Sequence, residues 1–557
     1  MNKHRVFEGS FSSCFVCGPA ARRSVMLLPA AVFCIALGAV PGIEAQTAAP
    51  AAAQQQRIRV NAVRVEGNTL LPERTLAGLT ADLAGTERSL AELKEVATRL
   101  QSAYRDAGYG GVIAYLPEQE VASGNVVIQV VEGKLANVRI AGNRYFDPAN
   151  LRAGLPNLRE GETPVVRAID RDLQLANENP AKEIKLTLTA GARPGEIDAE
   201  LGVTDRDPLQ FLLGYNNFGT KASGKHRVSV GLQHSNLFNR DHIGVVQYQT
   251  SPDEPGLVRI FSLGYRVPLY AQAGSLDAFF AYSDVSSAVT ITPAGPLSFA
   301  GKGTILGIRA NRNLDRIGEY DHRVTLGVDG RKYDNVCAIG DFGPLACGPA
   351  GVSVTAVPVL LAYTGQKQGP QLSWGVSTSL SANAGGSSQQ TFEAARPGGK
   401  RHYVIARSSV YAEQALSGGF GVHGRAEFQY SPHALISGEK IGLGGANIVR
   451  GYQERELAGD SGFILRLEAL APLTELTGDF RVRPYLFVDH GRVSNHKDMP
   501  CRNVSETSCK LTGAGVGARL EIGRSLSATL NIGRAFEHGV TTSSGDVRGH
   551  ISVNFVY

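Results

Sequence analysis

From Asp207 to Tyr557 the chain is a succession of segments of about ten residues in which apolar and polar side chains alternate, separated by turn residues. Alternation at period two puts apolar side chains on one face of a strand and polar ones on the other. Many such strands in series are the pattern of a membrane β-barrel, with lipid outside and water inside. Sixteen are predicted, the first eight at 210–217, 227–237, 243–250, 258–269, 277–285, 304–313, 322–332 and 355–364. The other eight fall at 371–382, 402–416, 421–430, 462–470, 482–493, 512–522, 525–535 and 549–557. An even number lets an antiparallel sheet close on itself.

The texture before residue 206 is different. Val63-Arg64-Val65-Glu66-Gly67-Asn68 is echoed 75 residues later by Val138-Arg139-Ile140-Ala141-Gly142-Asn143. Each copy reads as an alternating strand ending in a tight Gly-Asn turn (Gly67 and Asn68, then Gly142 and Asn143), followed by helical sequence and further strands. In the first copy Leu90, Leu93, Val96, Ala97, Leu100 and Tyr104 recur at helical spacing, and 109–115 and 126–131 read as strands. The predicted organisation is two α+β modules, 57–134 and 135–205, ahead of an all-β transmembrane barrel of sixteen antiparallel strands, 206–557. Ahead of the modules, 46–56 is a low-complexity linker. Residues 1–45 carry a basic Arg22-Arg23, an apolar run from Val25 to Val40 and small residues up to Ala45, the layout of a signal peptide.

Strand order gives the loops a side. If the modules lie on the inner side, strand one runs outward and every odd-to-even connection is external. The glycine-rich connection after strand eleven, 438–461, is then external, yet it centres on Val449, Arg450, Gly451 and Tyr452. Glycine gives the backbone freedom to fold back, so this loop is expected to tuck into the lumen and place Arg450 there. Strand thirteen presents Phe487, Asp489 and Gly491 on one face by period two. A guanidinium and a carboxylate in a partly dry lumen favour a bidentate pair, so Asp489 is the expected partner. Arg466 and Glu468 on strand twelve read as ordinary polar lining.

Composition narrows the classes. The 557 residues include 65 glycines and 43% hydrophobic residues at a net charge of +5, which excludes a disordered chain and a helical membrane bundle. Removing 1–45 takes away four basic side chains and two acidic ones, leaving +3. No basic stripe points to nucleic acid. Three of the seven cysteines fall in the leader. The other four form two local pairs, Cys337 with Cys347 and Cys501 with Cys509, on the connections after strands seven and thirteen. In an exported protein such pairs read as disulfides; zinc is the rival, with His490 and His496 the histidines near either pair. Gly459-Asp460-Ser461-Gly462 resembles a serine-protease nucleophile motif but reads as a turn at a strand edge. No zinc-binding H-E-x-x-H occurs, and neither a metal, a cofactor nor an enzyme activity is expected.

Two modules, sixteen strands and the Val449-Arg450-Gly451-Tyr452 loop together resemble the two-partner secretion transporters, the haemolysin secretion/activation proteins, relatives of the outer-membrane barrel insertases. Further matching stretches are Asn216-Asn217-Phe218-Gly219, Gly264-Tyr265-Arg266-Val267-Pro268-Leu269, Phe487-Val488-Asp489-His490-Gly491 and Gly513-Ala514-Gly515-Val516-Gly517. The resemblance implies POTRA-like periplasmic domains at 57–134 and 135–205 and a barrel in the outer membrane of a Gram-negative bacterium. It implies that the POTRA-like domains bind the N-terminal secretion domain of an unfolded exoprotein, by adding its strands to their sheet edges. That exoprotein would thread through the barrel and fold outside as a β-helix. The implied partners are this exoprotein, outer-membrane lipid, and the periplasmic chaperones and barrel assembly machinery that insert the chain. Family members often carry a plug helix and a long linker before the first POTRA domain; here 46–56 leave no room for both, so no helical plug is expected. Barrel assembly is the alternative function within the superfamily, and a passive porin is disfavoured by the modules and the arginine loop.

Overall fold

The computed structural model describes residues 57–557 apart from 121–122, 221–222, 285–287, 293–294, 300–301, 335–350 and 502–505. The expected leader (1–45), the linker (46–56) and any plug helix within them lie outside the described residues. So do Cys337 and Cys347, so that of the two predicted disulfides the described residues hold the one between Cys501 and Cys509.

The first module runs strand Ala62–Glu66, helices Glu73–Thr80 and Leu90–Asp106, then strands Val112–Tyr115 and Asn125–Glu132. Its first strand lies parallel to its last, which pairs antiparallel with the middle one. The second module repeats this with strand Lys134–Ala141, helices Pro148–Ala153 and Val166–Ala176, and strands Lys182–Ala190 and Glu196–Asp205. The long helix starts at a capping box, in which the Ser89 hydroxyl accepts from the Glu92 N–H and the Glu92 carboxylate accepts from the Ser89 N–H. Its Leu93, Val96, Ala97, Leu100 and Tyr104 pack into the module core. Leu90, read as part of that stripe, stands at the first helical position and is 49% exposed.

Both Gly-Asn turns are tight for one reason. Gly67 and Gly142 adopt φ of +83° and +88°, and a β-carbon there would lie 2.2 Å from the Val130 carbonyl oxygen and 2.4 Å from that of Val203. Asn68 accepts from the Leu71 N–H at 3.0 Å, and the Asn143 amide donates to the Phe146 carbonyl at 2.9 Å. An acid ends the last strand of each module and fastens the turn. Glu132 accepts from the N–H groups of Thr69 and Leu70, and Asp205 from those of Arg144, Tyr145 and Phe146.

The second module is docked on the barrel. The Lys182 ammonium is fully buried against Asp241 in the turn after strand two, and the Tyr270 hydroxyl from the turn after strand four donates to the same carboxylate. Nearby, the Asn179 amide donates to the Ser235 carbonyl at 2.7 Å and the Asn150 amide to Asn236 at 2.9 Å. Glu178 accepts from Asn313 of strand six at 3.0 Å. The buried pair, joined by the Tyr270 hydroxyl and by the asparagine contacts around it, fastens the module beneath strands two to six.

The barrel closes with sixteen antiparallel strands. The first eight are Leu209–Asn216, Arg227–Leu237, His242–Thr250, Arg259–Leu269, Gly274–Ser283, Gly303–Asn313, Tyr320–Tyr333 and Val354–Lys367. The others are Leu372–Gly386, Val404–Ala415, Gly421–Tyr430, Ser461–Leu470, Phe480–Ser494, Ser508–Ile522, Leu526–Ala535 and Val547–Val556. Every predicted segment overlaps one of them; the differences are at the ends, where strands seven, eight, nine, thirteen and fourteen run longer. Strand sixteen closes on strand one from Ser552 opposite Asn216 to Val556 opposite Leu212. Outward positions such as Leu306, Leu361, Leu380, Leu467 and Leu486 are exposed for lipid, while Asp329, Arg425, Glu468 and Asp489 alternate inward.

Replacing Gly142 by alanine forces a β-carbon onto the Val203 carbonyl at a positive φ. Hydrogen exchange in strand Glu196–Asp205 is expected to accelerate by an amount equivalent to about 1–3 kcal/mol, with strand Asn125–Glu132 of the first module unchanged.

Candidate functional site: a loop bound inside the barrel

The connection from strand eleven to strand twelve, 431–460, leaves the wall, enters the lumen and returns. Two short strands, Ile441–Leu443 and Leu457–Gly459, pair antiparallel and make its limbs. Its tip carries Arg450, the largest fully buried side chain among the described residues. Arg450 donates from Nε to Asp489 Oδ2 at 2.7 Å and from Nη2 to Asp489 Oδ1 at 2.6 Å. Its backbone N–H also donates to Asp489, at 3.0 Å. Nη1 donates to Glu468 Oε1 at 2.6 Å, and the guanidinium lies 3.6 Å from the centroid of the Phe487 ring. Two carboxylates, an aromatic face and a bidentate fork are what a guanidinium needs to leave water.

The wall is shaped for this tip. Strands thirteen, fourteen and fifteen set Asp489 opposite Gly513, and Gly513 opposite Ala535. A β-carbon on Gly513 would lie 2.0 Å from the Arg450 carbonyl oxygen, and one on Gly533 would lie 2.8 Å from the Gly451 nitrogen. Gly491 leaves room for Leu443, since its β-carbon would come within 2.6 Å of that side chain. Gly451 itself sits at φ +95° against the backbone of strand fifteen, and its N–H donates to His550 Nε2 at 3.2 Å. The Tyr452 hydroxyl lies 2.9 Å from the Thr512 carbonyl oxygen and accepts from the N–H groups of Phe536 and Glu537. Val449, Tyr452, Leu443 and Leu457 pack with Val493, Leu511 and Cys509. Cys509 is disulfide-bonded to Cys501 in the external connection after strand thirteen, with 6.2 Å between their α-carbons. The other expected disulfide, Cys337 to Cys347, lies outside the described residues.

Several residues of the site were not legible in the sequence. Glu468, read as generic lining, bridges Arg450 and Arg519. Its register opposite Phe487, next to Arg466 opposite Asp489, comes from strand pairing and has no local signal. Arg466 does line the lumen, but its Nη1 donates to the Asn447 carbonyl of the loop at 2.7 Å. Asp460, inside the protease-like Gly-Asp-Ser-Gly, is a buried turn residue. It accepts from the N–H groups of Leu435 and His496 at 2.9 and 2.8 Å and from Arg396 at 3.2 Å. Glu456 accepts from the N–H groups of Val540 and Thr541, both at 2.8 Å, joining the loop to the connection after strand fifteen. Among the described residues no group of three or more histidine, cysteine or acidic side chains is placed to hold a metal ion.

Comparison with known proteins bears on this geometry directly. Residues 195–520, more than half of the chain, match the family profile described as haemolysin secretion/activation protein ShlB/FhaC/HecB. The chain belongs to that family. Residues 58–133 match the ShlB-type POTRA domain. The outer membrane transporter CdiB of Dickeya dadantii is 23% identical over 88% of this chain and 85% of its own. The heme/hemopexin transporter protein HuxB of Haemophilus influenzae is 22% identical over 84% of this chain and 81% of its own. The structure of CdiB from Escherichia coli superposes with a TM-score of 0.74 at 20% identity, each chain covered to 93%, a likeness of fold. This family member is an outer-membrane transporter of the two-partner secretion type, with its POTRA domains in the periplasm. The external end of the barrel is therefore the end from which the arginine loop enters.

Gly513→Ala tests the fit of loop to wall without touching a charge. The added methyl group overlaps the Arg450 carbonyl and is expected to destabilise the seated loop by about 1–3 kcal/mol. The protein should still insert and show heat-modifiable migration, but trypsin added from outside should cut within 431–460 faster than in the wild type.

Proposed function

We propose that this transporter captures an unfolded exoprotein at the open sheet edge of its first POTRA domain and exports it through the barrel once the Arg450 loop leaves the lumen. The observation that carries this reading is the loop itself: a polar segment held in the lumen by charges that water or a passing chain can replace. Strand Val112–Tyr115 is one of the two edges of its three-stranded sheet, and its outward Ile113 and Tyr115 are 55% and 45% exposed. An extended chain adding to that edge gains main-chain hydrogen bonds from the edge and side-chain contacts from Ile113 and Tyr115. The edge is close to the second domain, whose Val165 bridges Tyr109 just ahead of the strand. The second domain in turn is fixed to the barrel through Lys182 and Asp241.

In this reading the partner carries an N-terminal secretion domain and folds as a β-helix on the outside, where folding supplies the bias for transport. Residues 1–45 are cleaved as a signal peptide, 57–134 and 135–205 are the two POTRA-like domains, and 206–557 form the barrel. Periplasmic chaperones and the barrel assembly machinery insert the chain, and outer-membrane lipid covers its apolar belt. No enzymatic step, cofactor or nucleic acid enters this scheme.

Replacing Ile113 and Tyr115 together by aspartate removes the apolar contacts and sets two like charges along the edge. Export of the cognate exoprotein is expected to fall at least about tenfold, the scale of losing two exposed apolar anchors, with an unchanged amount of inserted barrel. Export at the wild-type level would refute this edge as the capture site.

A further inference from the structure

Arg450 is one ionic attachment of the loop; among the described residues the loop also has two of the opposite sign, Asp460 at its end, paired with Arg396 at 3.2 Å, and Glu439 near its start. Glu439 lies on the first limb of the loop, in the short turn Ser437–Glu439, and is 1% exposed. Its carboxylate accepts from Arg331 Nη1 at 2.8 and 3.0 Å, from the Tyr333 hydroxyl at 2.9 Å, from the Tyr403 hydroxyl at 3.0 Å and from Arg407 Nη2 at 3.3 Å. These donors belong to the external ends of strands seven and ten and the residue just before strand ten, away from the strands that hold Arg450. We propose that Glu439 is a second positioning residue for the lumen loop, anchoring its first limb to the wall of strands seven and ten so that the lumen opens only when both anchors let go. This rests on the reading that the loop closes the lumen.

Three further observations separate a built anchor from a stray contact. Arg331 is aimed: its Nε and Nη2 are taken by Asp329 at 3.1 and 2.7 Å, and Asp329 is also held by Arg309, so the remaining nitrogen points at Glu439. The backbone is caught as well, because the Glu439 carbonyl accepts from Gln429 Nε2 at 3.0 Å and Arg407 Nη2 at 3.2 Å. The neighbouring residue has no room for a side chain, since a β-carbon on Gly438 would stand 2.1 Å from the Tyr333 ring.

The two limbs are tied together. Arg455 on the returning limb donates to the Ser437 carbonyl at 2.8 Å, so movement of the Glu439 turn reaches the returning limb. While one anchor holds, the other end is kept near its site at high effective concentration. Breaking the Glu439 anchor takes the acid acceptor from Arg331 Nη1 and Arg407 Nη2, while Arg331 keeps Asp329 and Arg407 keeps Gln429, so the cost falls on the donors that Glu439 fills.

Trypsin tests this from the outside, because Lys440 and Arg455 lie within the loop. Full-length protein in outer-membrane vesicles is treated externally, and cuts within 431–460 are read by mass spectrometry. The set is wild type, Glu439→Gln, Glu439→Asp, Arg331→Met with Arg407→Met, all three neutralising changes together, and Arg450→Ala, each checked for heat-modifiable migration. Glu439→Gln and the wall pair are each expected to be cut at least about tenfold faster than wild type, the scale of losing a buried ion pair. The triple variant should be no faster than either, and Glu439→Asp should stay close to wild type. Rapid cutting of Arg450→Ala with wild-type rates in Glu439→Gln and in the wall pair would overturn the second anchor while leaving the loop as the closure. Rates that multiply in the triple variant would also overturn it, because the residues would then act separately. Protection of every variant, Arg450→Ala included, would overturn the second anchor together with the closure on which it rests.

Discussion

A buried arginine between two acids is the constraint around which this barrel is arranged. Taking a guanidinium out of water costs several kcal/mol unless its donors are filled by acceptors in the right places. Arg450 meets that condition with Asp489, Glu468 and the Phe487 face, contributed by strands twelve and thirteen. The same arithmetic makes the seated loop conditional. Once the loop leaves, the two carboxylates line a wet lumen, where their charge is tolerated, and Arg450 regains water outside. Burial stabilises the seated arrangement only while the loop stays in place.

The surrounding sequence follows from this. Glycines stand in the wall where the loop backbone touches it, at Gly513 and Gly533, since any side chain there would push Arg450 out of reach. The external connections act as clamps: Asp460 gathers His496 and Arg396, and Glu456 gathers Val540 and Thr541. At the opposite end the buried Lys182–Asp241 pair fixes the second POTRA domain under strands two to six. Under the proposed function, a chain delivered there approaches a lumen whose closure is tied to the far side, which gives capture and gating to separate parts of the molecule.

The strands were legible because period-two alternation is local and repeats sixteen times. Arg450 and Asp489 were legible because the glycine-rich loop and strand thirteen each carry a recognisable stretch. Glu468 was not, because its role depends on a register that no neighbouring residue announces. The same holds for Glu132 and Asp205. The repeat showed Gly67 and Gly142, but the acids that fasten those turns arrive from strands more than sixty residues later. Leu90 shows the complementary error, an apolar residue at helical spacing that stands half-exposed at the first helical position.

Single-channel recording of the purified protein in a planar bilayer tests the central claim most directly, with wild type, Arg450→Ala, Asp489→Asn and the double variant compared. If the buried pair seats the loop, wild type shows a small, fluctuating conductance, each single variant a larger one, and the double variant nothing beyond the singles. A steady conductance, the same in all four proteins, would mean that the loop does not occupy the lumen of the membrane-embedded barrel.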